Sequence, residues 1–257
     1  MKLRYALILV GMLAVPRLFA ATVTTIDGYG PYQTGVGGEF TLQTSDSIMN
    51  AIANSYYSDA RNQYGSGTSF QTFCVEGREY IYPNTTAEVV FNSVSVFTGN
   101  PLSKGAALLY SMFASGNWAS GIGYSYSGGY GSTAAARWGG TGSSADLLQK
   151  AIWALMGGQE SQVFDSSNPY EAWVASANGL GSWANAMAAA STGEDGVYIL
   201  NMWVPGKVGQ QGYAMQDQLV WAGNNAIPNV VPDGGLTVML LGMGLTGLGF
   251  VSRRIRS

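Results

Sequence analysis

The sequence predicts a β-rich α+β fold: a β-sandwich or barrel-like body with a helical subdomain, an N-terminal signal helix and a C-terminal transmembrane helix. Three observations carry this. The chain holds 36 Gly, 15 Tyr and 7 Trp but only 11% charged residues, a turn-rich, aromatic composition able to build a core. Short β-branched or alternating segments, separated by glycine-rich turns, recur through the middle of the chain. Apolar runs stand at both ends, each flanked by basic residues. The expected organisation is a signal peptide over 1–21, a body over 22–225, a linker over 226–230 and a sorting tail over 231–257.

A body of about 200 residues buries about 70% of its unfolded surface, so it needs no disulfide framework, and the chain has a single cysteine. Histidine is absent, which removes the usual general base and the commonest metal ligand; no metal or cofactor is expected. A secreted hydrolase is disfavoured on the same ground. Between Thr22 and Val230 there are six basic residues against fourteen acidic ones, a balance that repels phosphate backbones and excludes nucleic acid as a partner.

At the N-terminus Lys2 and Arg4 precede an apolar run from Tyr5 to Val15 and small residues at Ala20-Ala21, the order of a secretory signal peptide cut after Ala20 or Ala21. Thr22–Ile26 and Glu39–Thr44 then read as strands. Ser47–Tyr57 fits a short helix, and Tyr64–Thr68 a loop. Phe70–Glu76 reads as a strand in which period two places Phe73 and Cys74 on opposite faces. Ile81-Tyr82 and Ala87–Phe97 continue the sheet around a turn at Pro83-Asn84.

Two helices follow. Ser103 caps the first, which carries Ala106, Ala107, Leu109, Tyr110 and Phe113 and stops at Gly116. After a Gly/Ser/Tyr-rich loop over Asn117–Gly142, Ser143 and Asp146 open the second, which stops at Gly157-Gly158. Its core stripe is Leu148, Ala151, Ile152 and Leu155. Gln149 lies beside that stripe, aligned with Ile152, Trp153 and Met156, and can turn inward. A buried amide without partners costs about 1–3 kcal/mol, so Gln149 must find hydrogen bonds or react. Trp173–Ala190 suggests further helix, Val197–Val204 a strand, and Gln216–Val220 a last strand or edge.

The C-terminus runs Val231-Pro232-Asp233-Gly234-Gly235, an apolar stretch Leu236–Val251, then Arg253, Arg254 and Arg256. Sixteen helical residues cover about 24 Å against a hydrocarbon core of about 30 Å, a short span whose arginines stay cytoplasmic. An ordinary tail anchor has the same outline. The three-part order resembles the PEP-CTERM type of bacterial sorting signal in its VPDSG-like variant, with Gly234 where that variant usually has serine. The resemblance implies two processing partners, signal peptidase and an exosortase. It also implies an inner-membrane-tethered precursor, cleavage near Val231-Pro232-Asp233, and transfer of the body to the cell surface or extracellular matrix.

Two segments of the body, Thr72-Phe73-Cys74-Val75 and Gln149-Lys150-Ala151-Ile152-Trp153, resemble the paired motifs of bacterial thioester domains. In those domains an aromatic-Cys strand meets a TQxAIW helix. Leu148 replaces the usual Thr, and Val75 follows the cysteine. Gln218, within Gln216-Asp217-Gln218-Leu219, is similar to a late motif of such domains. The resemblance implies an internal thioester between Cys74 and Gln149, with Phe73, Trp153 and Gln218 around it, able to acylate a surface amine or hydroxyl once, without turnover, as an adhesin rather than an enzyme. The same residues also suit a packed thiol and a hydrogen-bonded helix glutamine. The function expected is therefore covalent surface adhesion or, in the other class, non-covalent binding of matrix polysaccharide through exposed Tyr and Trp. Glu76 and Glu79, three apart on an expected strand, face opposite ways and make no glycosidase pair.

Overall fold

The computed structural model describes residues 21–26, 39–61, 68–77, 79–124, 144–157 and 163–223. The expected signal peptide before Ala21, the 226–230 linker and the sorting tail over 231–257, with its motif, apolar span and arginines, lie outside the described residues. So do most of the Asn117–Gly142 loop, Ser143 and Gly158. Among the described residues no helix is long and apolar enough to cross a membrane.

The body is a mixed α+β fold on a six-stranded antiparallel sheet. Its strands are β1 (Ala21–Thr25), β2 (Phe40–Thr44), β3 (Thr68–Thr72), β4 (Thr86–Asn92), β5 (Val197–Trp203) and β6 (Ala214–Trp221). Their spatial order is β3-β2-β1-β4-β5-β6. Register follows side-chain chemistry. In β1, Ala21, Val23 and Thr25 are buried while Thr22 is exposed, the alternation of a strand with one wet face. In β6 the burial is continuous from Gln216 to Val220. The segment after β4 is tied to β6, the Val96 N–H reaching the Asp217 carboxylate at 2.7 Å.

The two outer strands of the sheet are joined by the chain that leaves β3. The Leu219 N–H donates to the Phe73 carbonyl at 3.1 Å and the Val75 N–H to the Asp217 carbonyl at 3.0 Å. Cys74 and Gln218 form the bridge between those two bonds. The edges therefore satisfy each other's backbone groups at the very place where the single cysteine sits.

Six α-helices are described: α1 (Ser47–Ala53), α2 (Ser58–Arg61), α3 (Lys104–Ser115), α4 (Ser144–Met156), α5 (Pro169–Ala175) and α6 (Trp183–Met187). The cap at Ser103 is formed, its Oγ accepting from the Ala106 N–H at 3.2 Å. Gly116, at φ +70°, ends α3 in the left-handed conformation that a side chain would strain. α3 packs on α4, α6, β5 and β6 and so ties the helical layer to the sheet. Its Tyr110 hydroxyl lies 3.0 Å from both the Gln71 and the Leu219 carbonyls, across the junction of β3 and β6.

Several expectations are corrected. Ile81-Tyr82 is not a strand: Ile81 is buried as a plug while Tyr82 is 70% exposed in the turn leading to Asn84, whose φ is +57°. β4 ends at Asn92 instead of Phe97, because the chain turns at 95–98, with the Ser95 N–H bonded to the Asn100 carbonyl and Val94 bridged to Pro101. Trp173–Ala190 is not one helix. The Leu180 N–H folds back onto the Val174 carbonyl at 2.8 Å, and a Cβ on Gly179 would stand 2.6 Å from the Trp173 carbonyl oxygen. The strand expected over Phe70–Glu76 ends early: regular β3 stops at Thr72, and Phe73, Cys74 and Val75 run on fully buried beside β6, joined to it by the Cys74–Gln218 bridge.

Candidate functional site

Cys74 is held from two directions. On one side, α4 turns Gln149 inward, as its place beside the Leu148, Ala151, Ile152 and Leu155 stripe predicts. The Gln149 side chain docks on the main chain of Cys74. Its Oε1 accepts from the Cys74 N–H at 3.0 Å, and its Nε2 donates to the Cys74 carbonyl at 2.8 Å. These residues are 75 apart in sequence. A cyclic amide pair of this kind satisfies both ends of the glutamine and fixes the plane of its carbonyl carbon beside the cysteine.

On the other side, β6 brings Gln218, whose Nε2 lies 3.6 Å from the Cys74 sulfur and donates to it. Gln218 is fully buried, and its Oε1 has no hydrogen-bond partner among the described residues. The Trp153 indole N–H, one helical turn beyond Gln149, is likewise buried without a described partner. Phe73 is buried edge-on against Phe113 and Tyr110, with ring centroids 5.0 and 6.4 Å away. That aromatic wall keeps the cysteine in an apolar setting. Of the residues that the sequence singles out, Gln149 and Gln218 therefore reach Cys74 from α4 and β6 in one buried place.

A second group adjoins it and is missed by reading the sequence. Glu76, two residues beyond Cys74, accepts from the Ser95 hydroxyl and, at 3.2 Å, from the Asp217 N–H. Asp217 accepts from the Val96 N–H at 2.7 Å, the Asn201 side chain at 2.9 Å and the Met202 N–H at 3.3 Å. Both carboxyls are buried, and neither has an ion-pair partner among the described residues. Burial pushes the Asp217 carboxyl well above the usual range, and the charge of Glu76 pushes it further. Burial also raises Glu76, opposed by the hydrogen bonds from Ser95, Asp217 and Phe97, with Glu79 adding to the rise. The Gln216 amide completes the latch by donating to the Glu76 carbonyl at 2.8 Å. A sequence signal existed, since Asp217 interrupts an otherwise core-facing strand, but period two alone says nothing of a partner on another loop.

Chemically, the arrangement offers a buried thiol, an amide docked on the main chain of the same cysteine, and an N–H already aimed at the amide oxygen. An N–H at 3.0 Å is in the range that stabilises negative charge developing on such an oxygen. Among the described residues no cluster suited to a metal ion occurs. Compared with family models, curated proteins and solved structures, the chain gives no match.

Proposed function

We propose that the protein is an exported surface or matrix protein whose body attaches covalently to amines through an internal Cys74–Gln149 thioester. Its body is barrel-like, closed where Cys74 meets Gln218. Its ends are a signal peptide and an exosortase-processed tail with a membrane span. The observation that carries the reading is the paired hydrogen bonding of the Gln149 amide to the Cys74 main chain. It supports the reading by docking the Gln149 amide on the cysteine's own main chain, and intramolecular proximity can be worth an effective molarity of about 10⁵ M or more.

Formation of the bond is balanced within the chain. The Cys74 sulfur attacks the Gln149 carbonyl carbon, the carbon–nitrogen bond breaks, and the thiol proton leaves with the nitrogen as ammonia. Of the two amide hydrogen bonds, the one through Nε2 is lost with the leaving group. The one from the Cys74 N–H to Oε1 stays and holds the oxygen through the tetrahedral stage.

The test is the intact mass of the body, residues 22–225, purified without amines. The expected result is a mass lower by one ammonia, an adduct with methylamine, and loss of both in Cys74→Ala. An unshifted mass with a titratable thiol leaves the non-covalent matrix reading instead. Exposed Tyr80, Tyr82 and Phe97 would then be the surface to probe with polysaccharide.

A further inference from the structure

The middle of the sheet carries a groove with no part in the chemistry at Cys74. β1 lies between β2 and β4, away from the junction of β3 and β6 that holds the cysteine. Thr22 and Thr24 of β1, Gln43 and Thr44 of β2, Ser45 just beyond it and Thr86 of β4 line a groove of about 270 Å³. Register explains the gathering. Thr24 stands opposite Gln43 on one side and Thr86 on the other, so the three share a face, and a step of two along each strand adds Thr22 and Ser45. Ala21, Val23 and Thr25 take the opposite, buried face. Because β1 is paired along both sides, the groove is offered by side chains rather than by open backbone.

Small-molecule sites are mostly apolar, and this lining is not. Among the described residues it holds hydroxyls and one primary amide, with no charged side chain and no aromatic ring. The carboxylates next along the chain are turned to backbone, Asp46 accepting from the Ile48 and Met49 N–H groups and Glu88 from the Gly206 N–H. Three of the hydroxyls are committed as well. Thr44 donates to the Thr22 carbonyl and accepts from the Asp46 N–H, and the Thr24 and Thr86 oxygens lie 3.1 Å apart in one hydrogen bond. The side chains of Thr22, Gln43 and Ser45 keep their donors and acceptors for the groove. A matching ligand is uncharged, donates as well as accepts, and offers several such groups close together. A phosphate or carboxylate would meet no cation here, and a hydrocarbon would strand the open polar groups. We propose that the groove binds one unit of a neutral polysaccharide: the Gln43 amide takes a vicinal diol, its N–H donating to one oxygen and its carbonyl accepting from the other, while Thr22 and Ser45 take neighbouring hydroxyls. With no ring to stack on the sugar, a short oligomer binds with a Kd of about 1 mM. The site stands apart from the Cys74–Gln149 bond and does not depend on it.

The experiment is saturation-transfer difference NMR on the full chain, kept in a detergent without a sugar headgroup. Cellohexaose, maltohexaose and mannohexaose are the neutral probes, and hexamannuronate is the charged one. At least one neutral hexamer should show saturated ring protons, and hexamannuronate none. Gln43→Ala and Thr22→Val should each raise the Kd by about tenfold or more, since each removes hydrogen bonds made only in the groove. Thr22→Val keeps the branched shape that suits an exposed strand position, so it decides alone if Gln43→Ala does not fold. Cys74→Ala and Tyr82→Ala should leave the Kd unchanged. Silence from all three neutral probes, equal binding of hexamannuronate, an unchanged Kd in Thr22→Val, or loss of binding in Tyr82→Ala overturns the groove. Binding by a protein that shows no ammonia loss upholds the groove while the thioester fails, and ammonia loss without binding does the reverse.

Discussion

Cys74, Gln149 and Gln218 owe their meeting to burial rules that act on single residues. An inward glutamine on an apolar helix face must find partners, and Gln149 finds both on the Cys74 main chain. That much was legible from spacing, because the helix period turns position 149 toward the core. The end of β3 at Thr72 was not legible, because it depends on the next residues crossing to β6. The partners of Glu76 were not legible for the same reason: its carboxylate is held by Ser95 and the Asp217 N–H, which come from other parts of the chain. Its carboxyl and that of Asp217 have folded affinities for protons raised by burial, so the stabilising protonated form is fully present below their unfolded values, around pH 4, and lost as pH rises through the raised ones. The melting temperature of the body should therefore fall on going from pH 5 toward pH 8. Glu76→Gln, whose amide can still pair with Ser95 and the Asp217 N–H, should flatten that slope in a pH series of thermal melts. A slope unchanged by Glu76→Gln would contradict the assignment.

At the scale of elements, α3 is the brace of the site. Its N-terminus is fixed by Ser103, and its Tyr110 and Phe113 close over Phe73. The Tyr110 hydroxyl serves the Gln71 and Leu219 carbonyls and touches Tyr56, joining β3 to β6 one layer below Cys74. Tyr110→Phe removes the hydroxyl from the Gln71 carbonyl, while the Leu219 carbonyl keeps the Thr72 hydroxyl, and should cost about 1–3 kcal/mol by denaturant unfolding with the aromatic packing kept. Ser103→Ala removes a cap and should cost about 1 kcal/mol in the same assay. Both helix ends here were readable from Ser103 and Gly116, since capping is local chemistry. The break between α5 and α6 was not, because it depends on Gly179 lying against the Trp173 and Val174 carbonyls, a close approach that composition does not reveal.

For the whole molecule, the described core is aromatic and aliphatic and is built between the antiparallel sheet and its helical layer. The strands were legible from β-branched runs between turns. Their order was not, because β1 sits between β2 and β4 and the backbones of the edges meet beyond the end of β3, at Phe73–Val75. The terminal segments are proposed to act as addresses, so the mature protein made in a cell with an exosortase should begin after Ala20 or Ala21 and end near Val231-Pro232-Asp233. Mass spectrometry of the secreted form checks this, and a product still carrying 236–257 would refute the sorting reading.

The central claim is the bond between two residues that the fold brings together from β3's exit and α4. Digestion of the amine-free body at mildly acid pH, followed by tandem mass spectrometry, tests it most directly. The account predicts one species in which the Cys74 peptide is joined to the Gln149 peptide with the loss of one ammonia, absent after methylamine treatment. Two separate, unmodified peptides in the untreated protein would contradict it.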